Sequence, residues 1–216
     1  MGTLNMTVSV EKQIAADLLD INAVTLSPNK PFLWASGIKA PIYTDNRRTI
    51  AFPEVRTHIA DGLTALISEQ FPTATVIAGV ATAGIPHAAL AADRLNLPMS
   101  YVRAKPKDHG TGKQIEGQIT ADDNVVLIDD LISTGGSVLG AAKAVQAVGA
   151  TVLGIVAIFS YELPDHVKNF ADAGLSLHTL TNYSTLIEVA NEKYDINATE
   201  LASLKQWRED PWHWNK

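Results

Sequence analysis

Cysteine is absent from the 216 residues, which excludes a disulfide framework and any thiolate metal centre. A chain without thiols suits a reducing compartment. No run reaches the roughly 18 consecutive apolar residues of a membrane span, and the opening MGTLNMTVSVEKQ lacks the basic-then-apolar order of a secretory signal. The expectation is therefore a cytoplasmic protein. Positive charge is in deficit too: 17 Lys and Arg stand against 23 Asp and Glu, for a net charge of −6. That balance argues against nucleic acid as the main ligand, because phosphate backbones are bound through clustered cations. No Gly/Ser/Pro linker divides the chain, and no internal repeat is visible.

What is present can build a core. Hydrophobic residues make up 46%, enough at this length for one large domain with a small addition. Apolar residues three or four apart predict helices over 11–22 and 53–70, the second with Pro53 in its first turn. Residues 31–50 mix aromatics, Gly and Pro, and read as short strands and turns. Beyond them, the wholly apolar runs TVIAGVA, PMSYVRA, NVVLIDD, TVLGIVAIF and LSLHTL alternate with helical stretches over 85–95, 135–148 and 165–173. Strands buried on both faces and separated by helices predict a parallel sheet covered on both sides. The expected fold class is α/β, a doubly wound, mostly parallel sheet over 53–182. Residues 1–52 and the helices of 183–216 are expected to form a small hood on the same structural unit. The tail WREDPWHWNK holds three of the 4 Trp and is expected to pack against the body or a partner.

Two features carry chemistry. Arg103, Lys105, Lys107, His109 and Lys113 lie within eleven residues, with Asp108 the only acid among them. Such a stretch on an acidic chain suits a small polyanion, although a solvated basic loop has the same composition. The second feature is NVVLIDDLISTGGS over 124–137. Its first half is expected to be a buried strand over 125–128, with Asp129 and Asp130 at the carboxyl end, where open parallel sheets bind ligands. Ser133, Thr134, Gly135, Gly136 and Ser137 then open a helix that Gly149 is placed to end. Free N–H groups at a helix start, small residues and three hydroxyls suit a phosphate monoester. No Lys follows the glycines, so this is not the nucleoside-triphosphate loop. Two carboxylates repel phosphate but accept hydrogen bonds from hydroxyls, so a sugar phosphate satisfies both halves. A tight turn whose acids cap a neighbouring helix is the plainer alternative.

This strand, acid pair and hydroxyl-glycine turn resemble the signature of the type I phosphoribosyltransferases. In that family the acids hold ribose hydroxyls and the loop grips the 5-phosphate of phosphoribosyl pyrophosphate (PRPP). The resemblance assigns Asp129, Asp130, Leu131, Ile132, Ser133, Thr134, Gly135, Gly136 and Ser137 to that donor. Two further stretches narrow it. SGIKAPIYTDNR, 36–47, looks like the orotate-site segment of the orotate-using branch, and YVRAKPKDHGTGKQIEG, 101–117, resembles its mobile catalytic loop. With GVATAGIPHA, 79–88, the similarity covers most of the chain in the expected order.

The resemblance implies transfer of the phosphoribosyl group to orotate, giving orotidine 5′-monophosphate and pyrophosphate, in UMP biosynthesis. It implies Arg103, Lys105, Lys107 and His109 as catalytic residues, with Arg103, Lys107 and His109 also binding the donor. Thr82 and Ala83 are expected at the pyrophosphate, their amides and that of Gly84 forming a nest. Ser133, Tyr43 and Arg47 are expected at orotate. Mg2+ is implied as cofactor, held by donor oxygens and water with no direct protein ligand. A homodimer is implied, each catalytic loop reaching the neighbouring subunit's site, with neither nucleic acid nor membrane as partner. The loop also makes chemical sense: cations that arrive on closure stabilise the charge growing on pyrophosphate, and closure excludes water. Gly110, Gly112 and Gly117 supply the freedom to swing.

Three features depart from the enterobacterial pattern. Ala104 stands where a Lys follows Arg103, with Lys105 as substitute, and Thr82-Ala83 replaces a Tyr-Lys pair. No Arg occurs in FSYELPD, 159–165, to read the orotate carboxylate, which leaves Arg47, Arg48 or the backbone near Tyr43. The set resembles the shorter Gram-positive type. His58, His87, His178 and His213 are expected as packed or surface residues, the tripeptide at 197–199 is given no weight as a glycosylation site, and the absence of G-x-S-x-G leaves hydrolase triads unsupported. The alternatives are a phosphoribosyltransferase for another base, or a noncatalytic sensor of phosphoribosyl pyrophosphate.

Overall fold

The computed structural model describes residues 9–34, 36–105, 114–194 and 196–214. Lys107, His109, Gly110, Gly112 and Lys113 lie outside the described residues.

Among the described residues the first element is α1, Val10–Asp20, capped by Ser9, whose hydroxyl accepts from Lys12 N. Ile14, Leu18 and Leu19 form its buried face. Short strands follow: β1, Val24–Leu26; β2, Phe32–Leu33; β3, Lys39–Ala40; and β4, Ile42–Thr44. They make two small antiparallel ladders, β1 with β4 and β2 with β3. Residues Asn46–Ala51 form a 3-10 helix, where strands and turns were expected. Pro53 explains why it stops: the residue before a proline is driven out of helical geometry, and Phe52 is extended at φ −110°, ψ 101°. Pro53 then opens α2, Pro53–Gln70, whose Val55, Ile59, Leu63 and Ile67 lie four apart on one buried face.

The core is a six-stranded sheet built from β5, Val76–Val80; β6, Met99–Val102; β7, Ile115–Glu116; β8, Asn124–Ile132; β9, Thr151–Ser160; and β10, Leu177–Asn182. Its order is β10-β9-β8-β5-β6-β7, parallel except for β7, which runs antiparallel to β6. Between the strands run α3, Gly84–Leu95; α4, Gly136–Gln146; and α5, Pro164–Ala173. Alternate residues of one strand serve opposite faces. Val126 and Ile128 of β8 join the apolar cluster of α1, α2 and α3, whereas Val125 and Leu127 join that of α4 and α5. The sheet is therefore doubly wound, as its wholly apolar strands predict.

The chain ends in α6, Tyr183–Lys193, and α7, Ala198–Glu209. Both pack on the α1 side through Leu186, Leu204 and Trp207. Trp207 and Trp214 are buried, while Trp212 stays half exposed and donates its indole N–H to Asp165. Among the described residues no helix is long and apolar enough to cross a membrane.

The sheet order contains a reversal that places the site. From β5 the chain moves outward to β6, then returns to lay β8 on the other side of β5. In open α/β sheets the crevice at such a switch point is where ligands bind. The ladder between β5 and β8 ends at Gly79 opposite Ile128, while β8 continues against β9 as far as Ile132 opposite Ser160. The expected strand over 125–128 is thus too short. Asp129, Asp130, Leu131 and Ile132 belong to it, but they are paired on one side only.

Candidate active site

Asp129 and Asp130 stand on this one-sided end of β8. Asp129 is only 7% exposed, and its Oδ1 accepts the Asp130 amide at 2.9 Å. Burial, then the charge of Asp130, pushes the Asp129 carboxyl up to about 8, and burial likewise raises that of Asp130. Arg47 acts against this by drawing Asp130 back down. An acid pair of this kind, Asp129 buried and Asp130 half-buried, is poised to accept hydrogen bonds from hydroxyls or to face a cation.

The turn after β8 is built around Gly135. Its φ of +82° lies in the left-handed region, and a Cβ there would sit 2.5 Å from the Phe170 ring, so only glycine fits. Asn169 pins the turn from below by donating to Thr134 O at 2.9 Å. The first bond of α4 runs from Leu139 N to Gly135 O at 3.0 Å. The amides of Gly136, Ser137 and Val138 precede it and carry the positive end of the helix.

A second turn, between β5 and α3, meets the same acids. A Cβ on Gly84 would lie 2.4 Å from Ile128 O and 3.3 Å from Asp129 Cα. The start of α3 therefore rests directly on β8 at Ile128 and Asp129, with Thr82 and Ala83 immediately before it in the chain. The Ala81–Thr82 peptide is cis.

Arg103 leaves β6 on the far wall. Its N–H donates to Gln114 O at 2.9 Å and its carbonyl accepts from Gln114 Nε2 at 2.7 Å. These bonds close the base of the basic loop. Arg103 Nη1 lies 3.7 Å from Glu116 Oε1. A cleft of about 140 Å3 runs between Arg103, Ala104 and Gln114 on one side and Gly136 and Ser137 on the other. The structure thus brings Arg103 opposite the hydroxyl-glycine turn. Lys105 is exposed at the loop's edge.

The N-terminal segment closes the remaining side. Asn46 is 1% exposed and its Nδ2 donates to Asp130 O at 2.7 Å. Arg47 is mostly exposed and paired with Asp45 at 2.6 Å, yet its charge reaches Asp130. Arg48 is turned away: its Nε donates to Ile21 O at 3.2 Å. Tyr43 is 47% exposed, its ring 5.6 Å from that of Phe32. Ser133 is half-buried at the start of the turn. Sequence reasoning missed Asn46, although it stands next to Arg47, because its role appears only when the 3-10 helix meets β8. Larger hollows exist elsewhere, one of about 320 Å3 between Leu19, Val24, Leu26, Tyr194 and Leu204. Volume alone does not locate chemistry, and that hollow lies away from the acid pair.

Residues 54–189 match the phosphoribosyl transferase domain. An orotate phosphoribosyltransferase of Levilactobacillus brevis is 77% identical over 203 residues, covering 94% of this chain and 97% of that one. The chain belongs to the orotate phosphoribosyltransferase family. Another orotate phosphoribosyltransferase, from Lactiplantibacillus plantarum, is 62% identical over 93% of this chain and 95% of its own. The crystal structure of orotate phosphoribosyltransferase from Aeropyrum pernix superimposes with a TM-score of 0.72 at 28% identity, over 83% of this chain and 98% of that one. The matched domain begins after the 3-10 helix and ends within α6. The parts of this phosphoribosyltransferase outside it are therefore α1, the N-terminal strands, the 3-10 helix whose Asn46 reaches Asp130, and the end of α6 with α7.

Proposed function

We propose that this phosphoribosyltransferase moves the phosphoribosyl group of PRPP to orotate, yielding orotidine 5′-monophosphate and pyrophosphate for UMP synthesis. The observation that carries the chemistry is the acid pair Asp129–Asp130 on the one-sided end of β8, with the left-handed turn at Gly135 and the open start of α4 directly after it. The high identity to proteins named orotate phosphoribosyltransferase supports orotate as the base.

In this reading the amides of Gly136 and Ser137, with the hydroxyls of Ser133, Thr134 and Ser137, hold the 5-phosphate. Asp129 and Asp130 accept hydrogen bonds from the ribose hydroxyls. The Thr82–Ala83 turn and Arg103 take the pyrophosphate, with Lys105, Lys107 and His109 completing the cationic lid. Orotate nitrogen bonds to the anomeric carbon as the bond from that carbon to pyrophosphate oxygen breaks, and the departing charge is what the lid stabilises. Ser133, Tyr43 and Arg47 are assigned to the base, Arg47 being the cation nearest the acids on that side.

Magnesium belongs to the proposal. Two adjacent carboxylates suit a hydrated cation that arrives on pyrophosphate. Bound there, the ion would offset charge on the leaving group. A homodimer sharing the lid between subunits is also proposed, as is a cytoplasmic location, which suits a cysteine-free chain with membrane-impermeant substrates.

The test is direct. Orotate, PRPP and magnesium with the protein should lose the orotate absorbance as product forms. A preference for uracil or hypoxanthine over orotate would replace the base assignment.

A further inference from the structure

The wall on the base side is made of very short strands. β3 and β2 have two residues each, and β4 pairs with β1 at three positions only. Ladders of this size do not hold themselves in water. Beyond Tyr43 the chain has a separate anchor, Asn46, which bonds the Asp130 carbonyl at 2.7 Å on its own.

The missing support comes from the other end of the chain. Trp207 of α7 is fully buried and donates its indole N–H to Lys39 O at 3.0 Å. Trp34 donates its own to Ile42 O at 3.1 Å. The two indoles meet edge to face, with centroids 5.6 Å apart. Trp207 also packs on Tyr183 at 5.2 Å and Tyr161 at 6.0 Å. Tyr161 in turn donates its backbone N–H to Ile132 O, the end of β8. Two indole donors therefore grip two carbonyls of one short segment, and both are anchored on aromatic rings of the sheet's rim.

We propose that Trp207 is a positioning residue for the acceptor base. Through Lys39 O it fixes residues 39–44 as the wall that faces the acid pair, so α7 sets affinity for the base and leaves the donor site alone. The identity of the base as orotate rests on the function proposed above; the strut itself does not.

Full-length Trp207→Phe keeps a ring in place and deletes the donor. KM for orotate should rise about fivefold or more, the scale of one buried neutral hydrogen bond, while KM for PRPP stays within about twofold. Amide hydrogen exchange over 38–44 should quicken and that over 133–138 should not. A purely structural role would lower the folded fraction and leave that selective KM split absent. Unchanged exchange over 38–44 with unchanged orotate KM overturns the proposal. Should Trp207→Phe not fold, Trp34→Phe deletes the second donor and is read the same way. Should the parent protein not use orotate at all, the functional reading fails, and the exchange comparison alone decides for or against the strut.

Discussion

An isolated aspartate is ionised at neutral pH, but Asp129 is shielded from water and its carboxyl is raised from 3.8 to about 8. A group raised in this way binds a proton in the fold that the unfolded chain has already released. Its contribution to stability is complete below the ordinary value of 3.8 and is lost as pH rises through about 8. Asp129→Asn keeps the acceptor for the Asp130 amide and removes the charge. The variant should be more stable than the parent at pH 8, by on the order of 1–3 kcal/mol, with a smaller difference at pH 5. It should also lose donor binding. Urea midpoints at the two pH values check the first part and calorimetric titration with PRPP the second. Equal pH slopes for variant and parent would refute the burial argument. Gly84 answers to sterics instead. Gly84→Ala puts a methyl 2.4 Å from Ile128 O, where backbone, not a flexible side chain, must move. Stability should fall by about 1–3 kcal/mol, and turnover should fall with it because α3 shifts off β8.

At the scale of elements, a cap and a loop make opposite predictions. The Asn182 side chain accepts from Thr185 N at 2.9 Å and donates to Glu11 at 2.6 Å, tying the start of α6 to α1. Asn182→Ala should cost about 1 kcal/mol of stability and leave turnover per folded molecule unchanged. Lys107→Ala should do the reverse. Turnover should fall about 100-fold, as for loss of one donor to developing charge, with no change in the unfolding midpoint. Elements were also the scale at which sequence reading worked best. The helix over 53–70 was expected from Pro53 and its four-residue stripe and is found with those bounds. The strands of the core were expected from their unbroken apolar runs. The 3-10 helix and β1 were not, because six and three residues are too few for a period to show. The end of β8 was misjudged because Asp129 and Asp130 interrupt the apolar run, although pairing with β9 carries the strand through to Ile132.

At the scale of the molecule, the proposed sharing of the lid makes its own prediction. Lys107→Ala and Asp129→Asn should each keep at most about a hundredth of the parent's activity alone. If the lid of one subunit serves the site of its neighbour, mixing the two variants under exchange conditions should restore activity at about a quarter of the sites by random pairing. No recovery, with exchange confirmed by light scattering on tagged chains, would confine the lid to its own subunit.

What the sequence determined alone was whatever depends on neighbours along the chain. The apolar periods, the proline at the start of α2, and the acid pair followed by hydroxyls and glycines all exert their effects within a few residues. They specified the doubly wound sheet and one half of the site. Tertiary structure decided which distant groups complete it. Asn46 reaches Asp130 across 84 positions and Trp207 reaches Lys39 across 168. An amide or an indole can find a carbonyl on many surfaces of similar polarity, so no local pattern selects the partner. Only the packing of the helices and the reversal of strand order between β5 and β8 bring these particular groups within bonding distance.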